Sequence, residues 1–273
     1  MELKLVQAPF ETVEADALIA VAAEGSAQAP APGLEDVDRA CGGWIAEIHA
    51  TGEFRGKAYD TAVLHRPAGI AARRLIVAGA GKTANAAEIR RAVGAAIRAA
   101  KRIGAAKLAV VVPEGGAVVA QAVAEGVVLG DWDSDRYKTG NDRHPIESCA
   151  ILASGDVAAA IERGRIVAES QNFARDLQNE PPNVLGPLAL AERARAMAAE
   201  QGLECEILGQ DQMRQLGMGS LLAVAQGSVR PPALIVLRYT PDGGGAGDHL
   251  GLVGKGVTFD TGGISIKPSD NMD

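Results

Sequence analysis

Aromatic side chains are scarce in this chain, with phenylalanine, tryptophan and tyrosine together making up 3% of its 273 residues. Any core must therefore be built from alanine, valine, leucine and isoleucine, and a hydrophobic content of 47% supplies enough of them. Cysteine is nearly absent. Cys41, Cys149 and Cys205 lie far apart with no Cys-x-x-Cys pair, and His49, His65, His144 and His249 form no ligand-spaced group. These gaps exclude a zinc finger, a disulfide scaffold and a Cys/His nucleophile pair, and they fit reduced, partly buried thiols in a cytosolic protein. An excess of positive charge is also missing. A net charge of −7 argues against broad nucleic-acid binding. No long apolar run occurs either, since Ala17 to Ala23 is far too short to span a bilayer. The N-terminal Met-Glu-Leu-Lys-Leu-Val-Gln lacks a basic region followed by an apolar core. A soluble, cytoplasmic protein with no membrane contact is expected.

What is present is an alternation of strand-like and helix-like segments. Leu3–Val6 and Asp16–Ala23 read as strands, and a Pro/Gly/Ala loop then leads to one helix over Leu34–Ala50. Tyr59–His65 and Arg74–Ala78 again read as strands. Asn85 and Glu88 form a capping-box pattern ahead of a helix whose Ile89, Val93 and Ile97 recur every fourth residue. Strands follow at Lys107–Val112 and Glu147–Ala153, with a helix over Val118–Leu129 between them. A long helix over Gly155–Gln178 stops at Asn179-Glu-Pro-Pro-Asn183, where two prolines force the chain out of helix. Another starts at Pro187 and stops at Gly202, as these residue types favour. Strands are expected at Glu204–Leu208, Leu221–Ala225, Ala233–Tyr239 and His249–Val253, with Pro241–Asp248 as a flexible connector. The pattern predicts an α/β fold in two domains. Residues 1–165 form an N-terminal α/β domain with a mixed sheet and an oligomeric or regulatory role. Residues 166–273 open a second α/β domain with its own central mixed sheet.

Three places invite a functional reading. Gly79-Ala-Gly81-Lys82-Thr83-Ala84 lies between a strand and a helix and nearly fits two phosphate-binding patterns. The phosphate loop fails because its first glycine position holds Ile76. The dinucleotide pattern lacks an acidic residue at the end of the next strand. A tight strand-to-helix turn is the better reading. Arg90, Arg91, Arg98, Lys101 and Arg102 form a basic helix face that could meet phosphates, although a solvated face is commoner; the polar loop Asp131–Arg143 is read as surface or subunit contact. The third place is Gly251-Leu-Val-Gly-Lys255-Gly-Val-Thr-Phe-Asp260-Thr-Gly-Gly-Ile-Ser-Ile-Lys267-Pro. Lys255 sits between glycines in an apolar stretch, where burying a lysine without a partner is costly. A buried lysine beside dications can lose its proton and coordinate metal, and Asp260 offers a hard oxygen ligand.

The segment Val253–Pro268 resembles the catalytic signature of the leucyl (cytosol) aminopeptidase family of two-metal exopeptidases. The resemblance extends through Asn172-Phe-Ala-Arg-Asp-Leu-Gln-Asn-Glu-Pro-Pro-Asn183 and Ala223-Val-Ala-Gln-Gly-Ser228, and more weakly through Leu75–Lys82. It implies that Lys255 binds metal, that Asp260 bridges two divalent ions (Zn²⁺ or Mn²⁺), and that Lys267 is a catalytic cation polarising the peptide carbonyl. It further implies attack of a metal-bound hydroxide on the first peptide bond, a leucine-type preference, peptide substrates and a homo-hexamer. In the family, a further aspartate and an Asp-x-Glu-x-Arg cluster complete the site and hold a bicarbonate base. Those positions do not occur in these 273 residues, and Asp270 and Asp273 fall too early to replace them, so these residues alone are expected to be inactive. Two alternatives stay open: a nucleotide or ADP-ribose-type ligand-binding module in the N-terminal domain, using the Gly79 turn, and DNA binding as a second function, although nucleic acid is not the expected partner.

Overall fold

The computed structural model describes residues 1–25, 33–140, 144–241, 247 and 249–270. They group into two compact units, Met1–Arg175 and Asp176–Asp273. The boundary expected near residue 165 falls earlier on the same helix. The expected Pro/Gly/Ala loop, the end of the polar loop at Arg143 and most of the 241–248 connector lie outside the described residues.

The first unit is an α/β layer structure around a six-stranded sheet. Its strands are β1 (Glu2–Val6), β2 (Ala17–Ala22), β3 (Thr61–His65), β4 (Arg74–Gly79), β5 (Lys107–Val111) and β6 (Ser148–Leu152), in the spatial order β1-β6-β5-β2-β4-β3. Neighbours run parallel except β3 and β4, so the sheet is mixed as expected. The helices are α1 (Glu35–Ala40), α2 (Trp44–Thr51), α3 (Ala86–Arg102), α4 (Gly116–Asp131) and α5 (Ala158–Gln178), the last continuing past the end of this unit.

Central strand β2 buries all six residues of Ala-Leu-Ile-Ala-Val-Ala, which explains why it reads as a continuous apolar run rather than an alternation. Ala17, Ile19 and Val21 face a core completed by Ile76, Val110 and residues of α3 and α4, among them Val93, Ile97 and Val123. Leu18, Ala20 and Ala22 face the other core, with Leu75, Val77, Ile45, Ile48 and Phe54. Aliphatic residues thus dominate both cores, with Phe54 the largest fully buried side chain among the described residues.

The capping box forms as predicted. The Glu88 amide donates to Asn85 Oδ1 at 3.1 Å, and the Asn85 amide donates to Glu88 Oε2 at 3.2 Å. Helix α4 packs closely on its neighbours because two of its contacts involve glycine. A β-carbon at Gly126 would stand 2.5 Å from the Arg90 carbonyl oxygen of α3, and one at Gly164 of α5 would stand 2.5 Å from the Gln121 carbonyl oxygen. The single helix expected over Leu34–Ala50 is two helices, α1 and α2. Gly42 and Gly43 break it with φ of 71° and 85°, a left-handed path that glycine adopts at little cost.

In the second unit, α6 (Pro187–Gln201), β7 (Glu204–Leu208), α7 (Gln210–Gln215), α8 (Gly219–Ala225) and β8 (Leu234–Arg238) follow in order, and β7 and β8 pair antiparallel. Pro187 opens α6, and Gly202 ends it at φ 67°. Two expectations fail here. Leu221–Ala225 lies in helix α8, with Leu221, Leu222 and Ala225 half-buried at helical spacing; a short apolar run cannot distinguish helix from strand by periodicity alone. His249–Val253 forms no strand among the described residues: no neighbouring strand pairs with it, and Leu250 and Leu252 are 87% and 89% exposed. No helix among the described residues is long and apolar enough to cross a membrane.

Candidate metal and catalytic site

The segment carrying Lys255, Asp260 and Lys267 folds locally into a turn. Gly262 sits at φ 83°, and a β-carbon there would stand 2.5 Å from the Ser265 carbonyl oxygen, so only glycine fits. Gly262 bridges to Ile266, and the Lys267 amide donates to the Thr261 carbonyl at 2.9 Å. This closure brings Asp260 and Lys267 together. The Lys267 ammonium donates to the Asp260 carbonyl at 2.9 Å and lies 3.4 Å from Asp260 Oδ2, while the Gly262 amide donates to Oδ1 at 2.9 Å. The Gly262 hydrogen bond, followed by the charge of Lys267 and more weakly that of Lys255, holds the Asp260 carboxyl below the usual carboxylate range.

Lys255, expected to be buried, is exposed, as are Asp260 and Lys267. The Asp260–Lys267 pair therefore acts mainly to orient two groups, because exposed ion pairs contribute little stability. A side chain added at Gly256 would meet Leu190 of α6 at 3.7 Å, which places the Lys255 loop beside that helix. The loop leading into α6 is itself held by residues that no local pattern announces. Buried Glu180 pairs with Arg193 at 2.9 Å, and Arg230 donates to the carbonyls of Pro182 and Asn183 at 2.8 and 3.1 Å. The Asn179–Asn183 motif was conspicuous in sequence, but its clamp arrives from 47 residues away.

As a metal shell, this arrangement is a beginning. Asp260 supplies a hard carboxylate of the kind dications take, and the resemblance names the Lys255 amine as a further donor. Among the described residues, no group of three or more His, Cys, Asp or Glu side chains converges as a metal site. One carboxylate and an amine fit part of a two-ion site and do not make one.

The other two sequence candidates have structural roles. In the Gly79 turn, the amides of Gly79, Ala80 and Gly81 donate to the carbonyls of Asp60, Ala22 and Gly56 at 2.8–2.9 Å, so they are not available to a phosphate. A β-carbon at Gly79 would stand 2.1 Å from the Lys57 carbonyl, showing how closely the chain's own backbone fills the turn. The basic face of α3 is largely paired within the unit. Arg90 meets buried Glu125 at 2.9 Å, Arg98 binds Asp133 and the Trp132 carbonyl, and Lys101 meets Asp131 at 3.1 Å as well as Asp133. Burial raises the Asp133 pKa, but hydrogen bonds from Lys101 and Arg98 outweigh it and hold the carboxyl below its usual range. Part of the polar loop after α4 is thereby anchored to α3.

Two family models match the chain in succession: "Cytosol aminopeptidase family, N-terminal domain" over residues 18–141 and "Cytosol aminopeptidase family, catalytic domain" over residues 172–273. A probable cytosol aminopeptidase of Solibacter usitatus is 48% identical over 280 residues, covering 100% of this chain and 55% of the relative. One of Acidobacterium capsulatum is 40% identical, covering 100% of this chain and 58% of the relative. The chain thus spans little more than half the length of the curated relatives it matches. Among solved structures, a mutant tomato leucine aminopeptidase superposes with a TM-score of 0.77 at 26% identity, covering 89% of this chain and 51% of that one. The bottromycin maturation enzyme BotP in complex with Mn gives 0.72 at 31% identity, covering 93% and 51%.

Proposed function

Because the chain belongs to the cytosol aminopeptidase family, we propose that the protein carrying it is a metal-dependent aminopeptidase that releases N-terminal residues, with a leucine-type preference, from peptides. The observation that carries this reading is the order of the two family matches on one chain, the second of which contains Lys255, Asp260 and Lys267. In this reading, Asp260 and Lys255 donate to divalent cations, Zn²⁺ or Mn²⁺; a relative's description names Mn. The cations would polarise the scissile carbonyl and activate water for attack on the first peptide bond.

This chain's own part is to place charge. The Thr261–Lys267 turn sets the Lys267 ammonium beside Asp260, so a fixed cation stands ready for negative charge developing on the peptide oxygen. The Gly262 amide and Lys267 keep Asp260 ionised, the form that binds a cation. Bicarbonate as a base, a homo-hexamer and a cytoplasmic location belong to the same proposal. The complete gene product, assayed on leucine p-nitroanilide with added Mn²⁺, should show metal-dependent release of p-nitroaniline, and the 273 residues alone should show none. Absence of turnover in the complete product across Mn²⁺ and Zn²⁺ would overturn the enzyme reading, and turnover by the 273 residues alone would overturn the need for further ligands.

A further inference from the structure

A candidate second site lies in the first unit, whereas the Asp260 turn belongs to the other. In open parallel sheets, ligands bind outside the carboxyl ends of the strands, at the point where successive connections leave in opposite directions. Here that point lies between β2 and β5. From β2 the chain passes through α1, α2 and the antiparallel edge strand β3 to reach β4, on one side of β2, whereas from β4 it passes through α3 to β5, on the other side. The two sets of helices cover opposite faces of the sheet. A cavity of about 620 Å³ opens at this point, with the ends of β2 (Val21, Ala22) and β5 (Val111), the segment Val112–Glu114 and the start of α3 among its walls. Its size falls in the range that holds a small molecule.

The lining states what that molecule must be. The floor is apolar, and among the described residues the charged groups that line the cavity are all carboxylates: Glu35, Asp36 and Glu114. Glu35 already accepts from the Gly33 amide at 3.1 Å and Asp36 pairs with Arg39 at 2.8 Å, but Glu114 has no hydrogen bond or ion pair among the described residues. The phosphates of a nucleotide would meet the unpaired charge of Glu114 here. One wall residue, Ala84, is held at φ 43°, a left-handed conformation that a non-glycine residue adopts at a cost and that clusters at ligand sites.

We propose that this cavity binds a small apolar amine, its hydrocarbon body in the cavity and its ammonium at the carboxylate rim. The test uses the intact 273-residue chain, labelled with ¹⁵N and titrated with 3-methylbutylamine, isovalerate and AMP in parallel. The amine should give saturable shifts at Val21–Ala23 and Val111–Glu114, and the acid and the nucleotide should give none there. Glu114→Gln should weaken the amine by about two- to fivefold, the size of one lost exposed charge contact, and Val112→Trp should abolish binding by filling the cavity. Titration of the unaltered chain decides the matter even if the tryptophan variant fails to fold. Linear, non-saturating shifts with the amine, saturation by AMP or isovalerate at these residues, or an amine affinity unchanged in Glu114→Gln would overturn the proposal. None of these outcomes bears on the aminopeptidase reading, whose residues lie in the other unit.

Discussion

Replacing Gly126 by alanine tests the helix packing of the first unit through the sign of a stability change. In an ordinary helix, the substitution stabilises by up to about 1 kcal/mol, because glycine is the poorer helix former. Here the new β-carbon would stand 2.5 Å from the Arg90 carbonyl oxygen and 2.8 Å from Val93 Cβ. Both partners belong to the buried interface of α3, and neither is the far end of a flexible side chain. Forcing a methyl group into such a contact costs about 1–3 kcal/mol, which exceeds the propensity gain. Gly94 on α3 is the built-in control. Its β-carbon would stand 3.7 Å from the Gly126 carbonyl oxygen, an ordinary contact, so Gly94→Ala should keep the propensity gain. Urea denaturation followed by circular dichroism should show a net loss of about 1–2 kcal/mol for Gly126→Ala. The control should show a gain of up to about 1 kcal/mol. Equal stabilisation by both substitutions would refute the close α3–α4 crossing.

Phe54 is 1% exposed in a core whose other buried members are aliphatic, so Phe54→Ala should cost about 3–5 kcal/mol, read as a lowered urea midpoint. Acid should destabilise the first unit in a defined window. The folded carboxyls of Asp16, held low chiefly by the Lys107 amide, and of Asp133, held low by Lys101 and Arg98 against the effect of burial, both lie below their ordinary range. Their contribution is therefore full above the unfolded carboxylate pKa of about 3.9 and is lost as pH falls through the folded values. The melting temperature should fall below about pH 4, and Asp133→Asn should make that fall shallower. Cys149, fully buried with its thiol pKa pushed up to about 12 by burial and then by Asp131, should resist a thiol reagent in the native chain and react once the chain is unfolded in urea.

Much of the first unit was legible because local signals and tertiary environment agree. The all-apolar run of β2 matches its position between two covered faces, and Asn85 with Glu88 marked the start of α3 to the residue. Gly42 and Gly43 carried the signal that divides α1 from α2, but an apolar pattern on both sides hid it. The segment Leu221–Ala225 was too short for periodicity to decide, and burial at helical spacing decided it. His249–Val253 has the composition of a strand, yet a strand exists only as part of a ladder, and no described partner pairs with it. In the candidate site, the spacing of Lys255, Asp260 and Lys267 was readable because glycine-rich turns act locally. The clamp of Arg230 on Pro182 and Asn183, and the methyl-sized limit at Gly126, were not readable, because both depend on which distant segments the fold brings together.

The central claim is that the Asp260–Lys267 turn is part of a peptidase active site. It is tested most directly by steady-state hydrolysis of leucine p-nitroanilide with saturating Mn²⁺, comparing the complete gene product with its Lys267→Ala and Asp260→Asn variants. Loss of a charge aimed at the developing oxyanion predicts a fall in kcat of about 10²- to 10³-fold for Lys267→Ala with a small change in KM. Asp260→Asn should instead raise the Mn²⁺ concentration needed for half-maximal activity. Unchanged kcat in Lys267→Ala, together with unchanged metal dependence in Asp260→Asn, would contradict the account.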